Sequence, residues 1–311
     1  MLGASTSGGH FVTHPAHYKR RGFAGILVAP NDCTSNVCPQ RVPRAQLSRG
    51  AGVSMHAVAV GSAPSKKQIN RAGKLLRDLR IAISADDTAA LHEFDTGLVH
   101  PAIEAVEWWR SLHAAPLARV NANLRYYVRK ADAQPEVTQR LKRFATIVHK
   151  LEREPTMALT SMEDIGGVRA ILPTQPQVLA VCDMLDKADR WKIRRRRFYI
   201  EGGDPGPKND GYRAVHLVVA KDGCYVEIQL RTPWQDSWAQ SVEQDTRRLR
   251  ADLKFGAGPD DLREYYRLVA EYFAMREAQI EPQEGFMEEL AKLYAATRAY
   301  FPPPPGVEPS Q

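Results

Sequence analysis

The sequence predicts an α+β fold, in which a small mixed and mainly antiparallel β-sheet is flanked by helices. Three observations favour this class. Apolar residues recur at helical spacing from residue 65 to about residue 153. The pattern then changes to the alternation of strands, most clearly on both sides of Asp222–Gly223. Helical spacing returns beyond residue 232, so the strands lie between two groups of helices.

Composition and charge limit the class of protein. The chain has 311 residues, of which 43% are hydrophobic, enough for a sizeable core. Its formal net charge of +7 favours an anionic partner such as a nucleotide, a nucleic acid or an acidic protein. The N-terminus lacks the apolar segment of a signal peptide, and no apolar run approaches the ~20 residues of a membrane span. We therefore expect a cytoplasmic protein without a membrane partner.

The four cysteines predict no metal site. Only Cys33 and Cys38 are close in sequence, and no second pair or histidine cluster completes a zinc-binding pattern. Because thiols stay reduced in the cytoplasm, we expect all four cysteines, including Cys182 and Cys224, to be free.

The first 130 residues divide into an arm and a helical region. Residues 1–64 are rich in Gly, Ser, Pro and Asn and predict an irregular arm. In residues 65–130, "SKKQINRAGKLLRDLRIA" has helical spacing with Ser65 as its N-cap. The stretch "DDTAALHEFDTGLVHPAIEAVEWWRSLHAA" predicts a second helix that breaks near Pro101, and "PLARVNANLRYYVRKA" predicts a third.

Residues 131–255 carry the predicted strands. "PEVTQRLKRFATIVHKLER" predicts a helix, "GGVRAIL" a short strand, "QPQVLAVCDMLDKA" a helix and "WKIRRRRFYI" a strand with a basic face. After the hairpin, "PWQDSWAQSVEQDTRRLRADL" is helical again. Residues 256–301 predict two more helices, and the Pro-rich tail at 302–311 predicts an extended or disordered end.

A β-hairpin with two chemically different faces is predicted around Asp222–Gly223. Placing the turn there sets Lys221 opposite Cys224 and fixes the register outward. One face is then apolar and must cover the core; its cross-strand pairs are Val219–Val226, Leu217–Ile228 and Val215–Leu230. The other face has the pairs Val218–Glu227, His216–Gln229 and Ala214–Arg231, with Tyr212 beyond them. This polar face is either the solvated side of the sheet or a functional surface.

Two further patterns favour a functional surface. In "SMEDIGGVRAIL", Asp164 comes just before a strand, and it is either a turn residue or a metal ligand. With Glu227 on a neighbouring strand it could share Mg²⁺, which takes one or two carboxylates together with phosphate oxygens. In "RLKRFATIVHKL", basic residues on one predicted helix form either a solvated face or a triphosphate clamp; they are Arg140, Lys142, Arg143, His149 and Lys150.

Five motifs, taken in order, resemble the synthetase domain of RelA/SpoT-type alarmone enzymes. They are "RLKRFATIVHKL", "MEDIGGVRAIL", "RRRRFYI…PKNDGYRAVHL", "VEIQLRT" and "WAQSVEQD", and they cover roughly residues 135–250. "GYRAVH" and "VEIQLRT" at this spacing are specific to that family. The resemblance implies a nucleotidyltransferase-like α+β core that transfers the β,γ-pyrophosphate of ATP to a ribose 3′-hydroxyl.

The resemblance also implies a role for each polar residue. Four basic residues would bind ATP, two sandwiching its adenine and two holding its phosphates; they are Arg140 and Arg169, and Lys142 and Lys150. Asp164 would bind Mg²⁺ with the help of Glu227, and Glu227 would accept the proton of the attacking hydroxyl. On the acceptor side, Tyr212 would stack on the base, and the residues that bind or orient phosphates and ribose would be Arg213, His216, Gln229 and Arg231.

Departures from the family pattern concern the acceptor. Phe198 replaces the acidic residue before the aromatic residue of the family's "DYI" segment. Gln240 and Gln244 replace an acid and a His of the motif "WAEIEHD". No upstream hydrolase His-Asp metal motif is found, so the chain resembles the small, single-function synthetases.

Three functions stay open at this point. The basic run Arg194, Arg195, Arg196 and Arg197 is either a solvated edge strand or a contact for tRNA, whose 3′-terminal adenosine would be the acceptor. That acceptor is typical of toxins in toxin–antitoxin and phage-defence pairs, and the chain resembles actinobacterial or phage-borne members, so an antitoxin protein is an expected partner. Free GDP, GTP or an adenosine nucleotide would instead define a small alarmone synthetase. A catalytically inactive binding module is disfavoured because both carboxylates are present.

Overall fold

The computed structural model describes residues 63–131, 136–249, 253 and 257–301. The predictions for the irregular arm up to residue 62, which contains Cys33 and Cys38, and for the tail at 302–311 lie outside the described residues. Cys182 and Cys224 are free and buried. Among the described helices, none has the length and apolarity needed to span a bilayer.

A five-stranded sheet forms the centre of the fold. Its strands are β1 (Glu136–Leu141), β2 (Gly166–Ile171), β3 (Lys192–Tyr199), β4 (Ala214–Lys221) and β5 (Cys224–Arg231). Their spatial order is β1-β2-β5-β4-β3, and β2 runs parallel to β5 while every other neighbouring pair is antiparallel. The predicted mixed, mainly antiparallel α+β class is confirmed.

Helices precede, interrupt and follow the strands. In chain order they are α1 (Lys66–Ser84), α2 (Thr88–Glu93), α3 (Thr96–Ser111), α4 (Ala114–Ala131), α5 (Phe144–Arg153), α6 (Gln175–Asp186), α7 (Pro233–Leu249), α8 (Asp260–Glu277) and α9 (Phe286–Thr297), with short 3₁₀ turns at Leu159–Ser161 and Arg298–Tyr300. Ser65 caps α1 as predicted, and it forms a reciprocal capping box with Gln68.

Two helix predictions were wrong. The segment predicted as one helix before Asp164 contains β1, and α5 begins only at Phe144, because Arg143 is still extended with ψ 144°. The pairing of β1 with β2 supplies hydrogen bonds that no local pattern could indicate. The second helical stretch breaks at Phe94–Asp95, where the Asp95 side chain caps α3, and Pro101 lies inside that helix.

The predicted hairpin and its register are confirmed. Asp222 and Gly223 both have positive φ, 49° and 79°, as a two-residue hairpin turn of this type requires. Lys221 pairs with Cys224, and the apolar and polar partners follow outward as expected as far as Val215–Leu230, where the observed register ends before the predicted pair Ala214–Arg231. The apolar face packs against α4 and α6, where Leu217, Ile228 and Leu230 are fully buried. Each such side chain contributes about 1.5–3 kcal/mol, so this core fixes which face is left for chemistry.

A second core lies beside the sheet. It joins α1, α3 and α5 through residues such as Ile69, Val106 and Ile147. Because α5 belongs to this core, Lys150 on its last turn is held by packing against α1 and α3.

Candidate active site

The polar face of the hairpin continues across three strands. His216 of β4 is paired with Gln229 of β5, and Gln229 is paired with Arg169 of β2. Two residues before Gln229, Glu227 of β5 lies next to Gly167. Paired residues project to the same face of a sheet, so the structure brings these predicted site residues together.

Glu227 is the centre of a buried hydrogen-bond network. Its Oε1 lies 3.0 Å from His216 Nδ1, and its Oε2 accepts a hydrogen bond of 2.7 Å from Gln229 Nε2. His216 Nε2 in turn is hydrogen-bonded to the Tyr212 hydroxyl at 2.6 Å. Burial alone would raise the pKa of Glu227, but the His216 charge and these hydrogen bonds outweigh it and lower the pKa to about 2. Glu227 is therefore a fixed anion at neutral pH.

Asp164 is held by two lysines. Lys142 Nζ lies 2.9 Å from its Oδ2, and Lys150 Nζ lies 3.0 Å from its Oδ1. Burial opposes ionisation of Asp164, yet the two lysines lower its pKa, while the negative charge of Glu227 acts to raise it. Arg110 Nε donates a hydrogen bond to the Lys142 carbonyl oxygen and so fixes the backbone at that lysine.

A cavity of about 210 Å³ joins the two carboxylates to two arginines. It is lined by Asp164, Glu227, Arg140 and Arg169, with Gln229 beside them. Carboxylate oxygens suit Mg²⁺, so Asp164 and Glu227 fit a shared divalent ion. No cluster of three or more His, Cys, Asp or Glu side chains suited to a metal occurs among the described residues. A metal bound here would therefore need further oxygen ligands from a substrate or from water.

Asp236, which sequence reasoning missed, joins residues from two strands. Its Oδ1 lies 3.0 Å from Arg169 NH1 and 3.0 Å from Arg231 NH1, and Gln240 Nε2 donates to its Oδ2. In the sequence, Asp236 is an ordinary acid in the first turn of a helix. Only the position of α7 directly after β5 shows that its carboxylate is buried between arginines.

Tyr212 lies in the network, but its ring is enclosed. The residue is 8% exposed, and its ring meets the rings of Tyr199, His216 and Trp238 edge-on. Its hydroxyl accepts a hydrogen bond of 2.8 Å from Arg231 NH2, and burial raises its pKa. Stacking of Tyr212 on an acceptor base remains a prediction, and it requires one face of this ring to be uncovered.

Arg213 faces a different environment from the other predicted acceptor residues. It is buried and lines a very small space with Trp234, Phe273 and Glu277, outside the network around Glu227. Burial lowers the pKa of its guanidinium, and the charge of Glu277 opposes this effect. Arg213, directly before β4, therefore faces Phe273 and Glu277 of α8 and not Asp164 or Glu227.

The basic run of β3 is partly neutralised. Glu163 pairs with Arg194 and with Arg195, and Asp186 pairs with Arg196. Arg197 is paired in register with His216, so it projects to the same face as the network. In the part of the chain that the structure describes, Arg197 makes no ion pair.

A larger cavity of about 510 Å³ lies between α7, α8 and the loop before Tyr212. Asn209, Asp210, Trp238 and Tyr266 are among its lining residues. The ring of Trp238 lies 6.1 Å from that of Tyr212, centroid to centroid, so a lining residue of this cavity contacts a member of the hydrogen-bond network. This volume is in the range of small-molecule sites.

Comparisons with known proteins match the region that contains this network. Residues 139–247 match the family described as a region found in RelA / SpoT proteins. An uncharacterized protein of Mycobacterium bovis is 32% identical over 130 residues, which are 40% of this chain and 45% of that relative's length. The chain thus spans less than half of the curated relative that it matches.

Solved structures with a similar fold include two from Bacillus subtilis. Small alarmone synthetase 2 is 22% identical, with 56% of this chain and 94% of that chain covered and a TM-score of 0.48. Small alarmone synthetase 1, bound to its product pppGpp, is 21% identical, with 61% and 99% covered and a TM-score of 0.46.

Proposed function

We propose that this protein is an ATP-dependent pyrophosphokinase, because residues 139–247 match the region found in RelA / SpoT proteins. It transfers the β,γ-pyrophosphate of ATP to a ribose 3′-hydroxyl: the hydroxyl oxygen bonds to the β-phosphorus, the bond from that phosphorus to the α–β bridging oxygen breaks, and AMP leaves. The observation that carries the proposal is that one cavity is lined by two carboxylates and two arginines, namely Asp164, Glu227, Arg140 and Arg169. It combines two anions for a divalent ion with two guanidinium groups for a nucleotide.

The donor nucleotide occupies this cavity in the proposal. Arg140 and Arg169 hold the adenine between their guanidinium planes. Lys142 and Lys150, which pair with Asp164 in the free protein, exchange that partner for the phosphates of ATP. The exchange costs little electrostatic energy, because each lysine is paired with an anion both before and after ATP binds.

Asp164 and Glu227 would hold Mg²⁺ together with the phosphates of ATP. When bound, the ion supplies positive charge that offsets the charge of the transferred phosphates. Before the oxygens of Asp164 can bind the ion, Lys142 and Lys150 must move away from them.

Glu227 orients the acceptor hydroxyl and receives its proton. With a pKa of about 2 it is a weak base, so it takes the proton late, when the new phosphorus–oxygen bond has acidified the hydroxyl. Gln229 donates to one of its oxygens, and His216 Nδ1 lies within hydrogen-bond distance of the other. Together they fix the direction of the carboxylate. Such positioning and charge stabilisation are the main contributions to phosphoryl transfer.

We place the acceptor on the side of Tyr212 and Arg231, and we favour the 3′-terminal adenosine of tRNA. The net charge of +7 and Arg197, which lies beside His216, support an anionic polymer. The 510 Å³ cavity lined by Trp238, whose ring contacts that of Tyr212, has room for a nucleoside. A toxin restrained by an antitoxin protein is part of this proposal and rests on the sequence resemblance alone. Free GDP, GTP or AMP is the alternative acceptor.

Incubation with γ-³²P-ATP and Mg²⁺ tests the proposal. GDP, GTP, AMP and deacylated tRNA are offered in separate reactions, and the products are separated by size. Label on tRNA alone supports the tRNA acceptor, and label on a free nucleotide supports an alarmone synthetase. No label on any acceptor, from wild-type protein that melts cooperatively, would overturn catalysis and leave a binding module.

A further inference from the structure

Asp236 is placed between the two halves of the proposed site. It lies in the first turn of α7, four residues after Thr232, which directly follows β5, and it is 2% exposed. A buried carboxylate at this point requires compensation, since an unpaired charge inside a protein is strongly unfavourable. The compensation comes from one guanidinium of the donor side and one of the acceptor side.

One oxygen atom makes both contacts. Asp236 Oδ1 is 3.0 Å from Arg169 NH1, which lines the donor cavity, and 3.0 Å from Arg231 NH1. Arg231 in turn donates through NH2 to the Tyr212 hydroxyl and to Gln229 Oε1. A displacement of this oxygen therefore moves donors on both sides of the network.

The two arginines would repel each other without this carboxylate. Burial, followed by the positive charge of Arg231, lowers the pKa of Arg169, and Asp236 provides the largest opposing charge, with a smaller one from Glu243. The Nε atoms of Arg169 and Arg231 are both buried, and neither has a hydrogen-bond partner among the described residues. Asp236 is therefore the ion-pair partner that the two guanidinium groups share, and for Arg169 it is the only ion-pair partner among the described residues.

Gln240 leaves the charge of Asp236 available to the arginines. Its amide donates to the other oxygen, Oδ2, from one turn along α7. An acid at this position, as the family motif has, could not donate and would repel Asp236. The glutamine is thus a departure from the family pattern that the geometry explains.

We infer that Asp236 is a positioning residue that couples the ATP-side guanidinium of Arg169 to the acceptor-side guanidinium of Arg231. The inference rests on the proposed function, in which Arg169 binds the adenine of ATP. Asp236 itself touches neither substrate. It fixes the separation and direction of the two cations, so that loss of its charge weakens the binding of both substrates.

The test measures nucleotide affinity and needs no acceptor. The full-length chain is titrated calorimetrically with AMPCPP and Mg²⁺, as wild type and as Asp236→Asn, which keeps the size of the side chain and an acceptor for Gln240. We expect a loss of about tenfold or more in affinity, since Arg169 is no longer anchored. The matched control is Asp245→Asn, also on α7, whose carboxylate accepts from the Tyr266 hydroxyl; its affinity should equal that of wild type.

A second variant separates positioning from a folding defect. Asp236→Asn combined with Arg231→Gln removes the repelling cation, so it should fold and recover part of the AMPCPP affinity. Equal affinity of wild type and Asp236→Asn would overturn the inference, as would a double variant that is weaker than Asp236→Asn. If wild-type protein fails to bind AMPCPP at all, the proposed function fails first, and the inference with it.

Discussion

Asp164, which lies just before β2, and Glu227 of the neighbouring strand β5 face one cavity, close enough that the charge of Glu227 opposes ionisation of Asp164. Neither residue is near the other in sequence. The parallel pairing of β2 with β5 places Gly167, three residues after Asp164, directly beside Glu227. Two carboxylates on the same side of the sheet are what a shared divalent ion requires, and side chains on opposite faces would have ruled it out.

Replacement of Glu227 by Gln should abolish pyrophosphate transfer without unfolding the protein. The amide keeps the size of the side chain but loses the anion and the proton acceptor, so we expect a fall of about 10²–10⁴-fold in turnover. Transfer of ³²P is measured beside a thermal melt. Glu152→Gln is the control, because Glu152 pairs with Arg80 away from the network. A Glu227→Gln protein as active as wild type would refute the role of this residue.

The free energy of unfolding should fall in acid, and Glu227 should account for part of the loss. Its pKa is lowered from 4.5 to about 2, so its contribution is complete above pH 4.5 and is lost as the pH falls towards 2. A shift of this size corresponds to on the order of 3 kcal/mol. Urea unfolding at pH 6 and pH 3 measures it. Glu227→Gln should lose less stability than wild type between these values, and an identical loss would contradict the lowered pKa.

Divalent cations should bind weakly unless a nucleotide is present. Lys142 and Lys150 occupy both oxygens of Asp164, and their positive charges repel a metal ion. Electron paramagnetic resonance of Mn²⁺ should show much tighter binding with AMPCPP than without it. Lys150→Met should raise the affinity for Mn²⁺ alone several-fold, because one oxygen of Asp164 is released. The control Lys187→Met, which breaks an exposed pair with Asp183, should change nothing; the same response from both variants would rule out masking by Lys150.

Arg197 should matter more to the acceptor than Arg196 does. Arg197 lies on the face of His216, whereas Arg196 pairs with Asp186 of α6. We expect Arg197→Gln to raise the KM of tRNA and to reduce the slope of log affinity against log salt by about 1. Arg196→Gln should keep both values. If the two variants behave alike, the arginine run acts only through its total charge.

The hairpin could be predicted in detail, whereas β1 and the contacts of Tyr212 could not. Around Asp222–Gly223 the turn and the alternation both act locally, so one register is favoured before any tertiary contact forms. By contrast, β1 exists because its partner β2 lies beside it, and its sequence also fits a helix. The enclosure of Tyr212 by Trp238, and the carboxylate of Asp236 between two arginines, depend on where α7 leaves β5. No residue spacing in the sequence predicts the direction of α7 relative to β5.

Gly211 should tolerate no side chain, because two separate constraints meet there. Its φ is +91°, which disfavours any L-residue, and a Cβ would lie 2.5 Å from the Cβ of Ala270 on α8. Gly223→Ala isolates the first constraint, since its φ is +79° and a Cβ there would meet nothing within 4 Å. We expect about 1–2 kcal/mol of destabilisation for Gly223→Ala from the backbone alone. Gly211→Ala should cost a further 1–3 kcal/mol, roughly, from overpacking against α8.

Urea denaturation of the two variants measures the difference. Because Gly211 directly precedes Tyr212, the displacement of α8 should also disturb the enclosure of that ring and weaken acceptor binding, which Gly223→Ala should leave intact. Equal destabilisation by the two substitutions would mean that α8 moves away at Ala270 without an energetic cost. The loop before Tyr212 would then be able to open without cost, which is the movement that stacking of Tyr212 on an acceptor base requires.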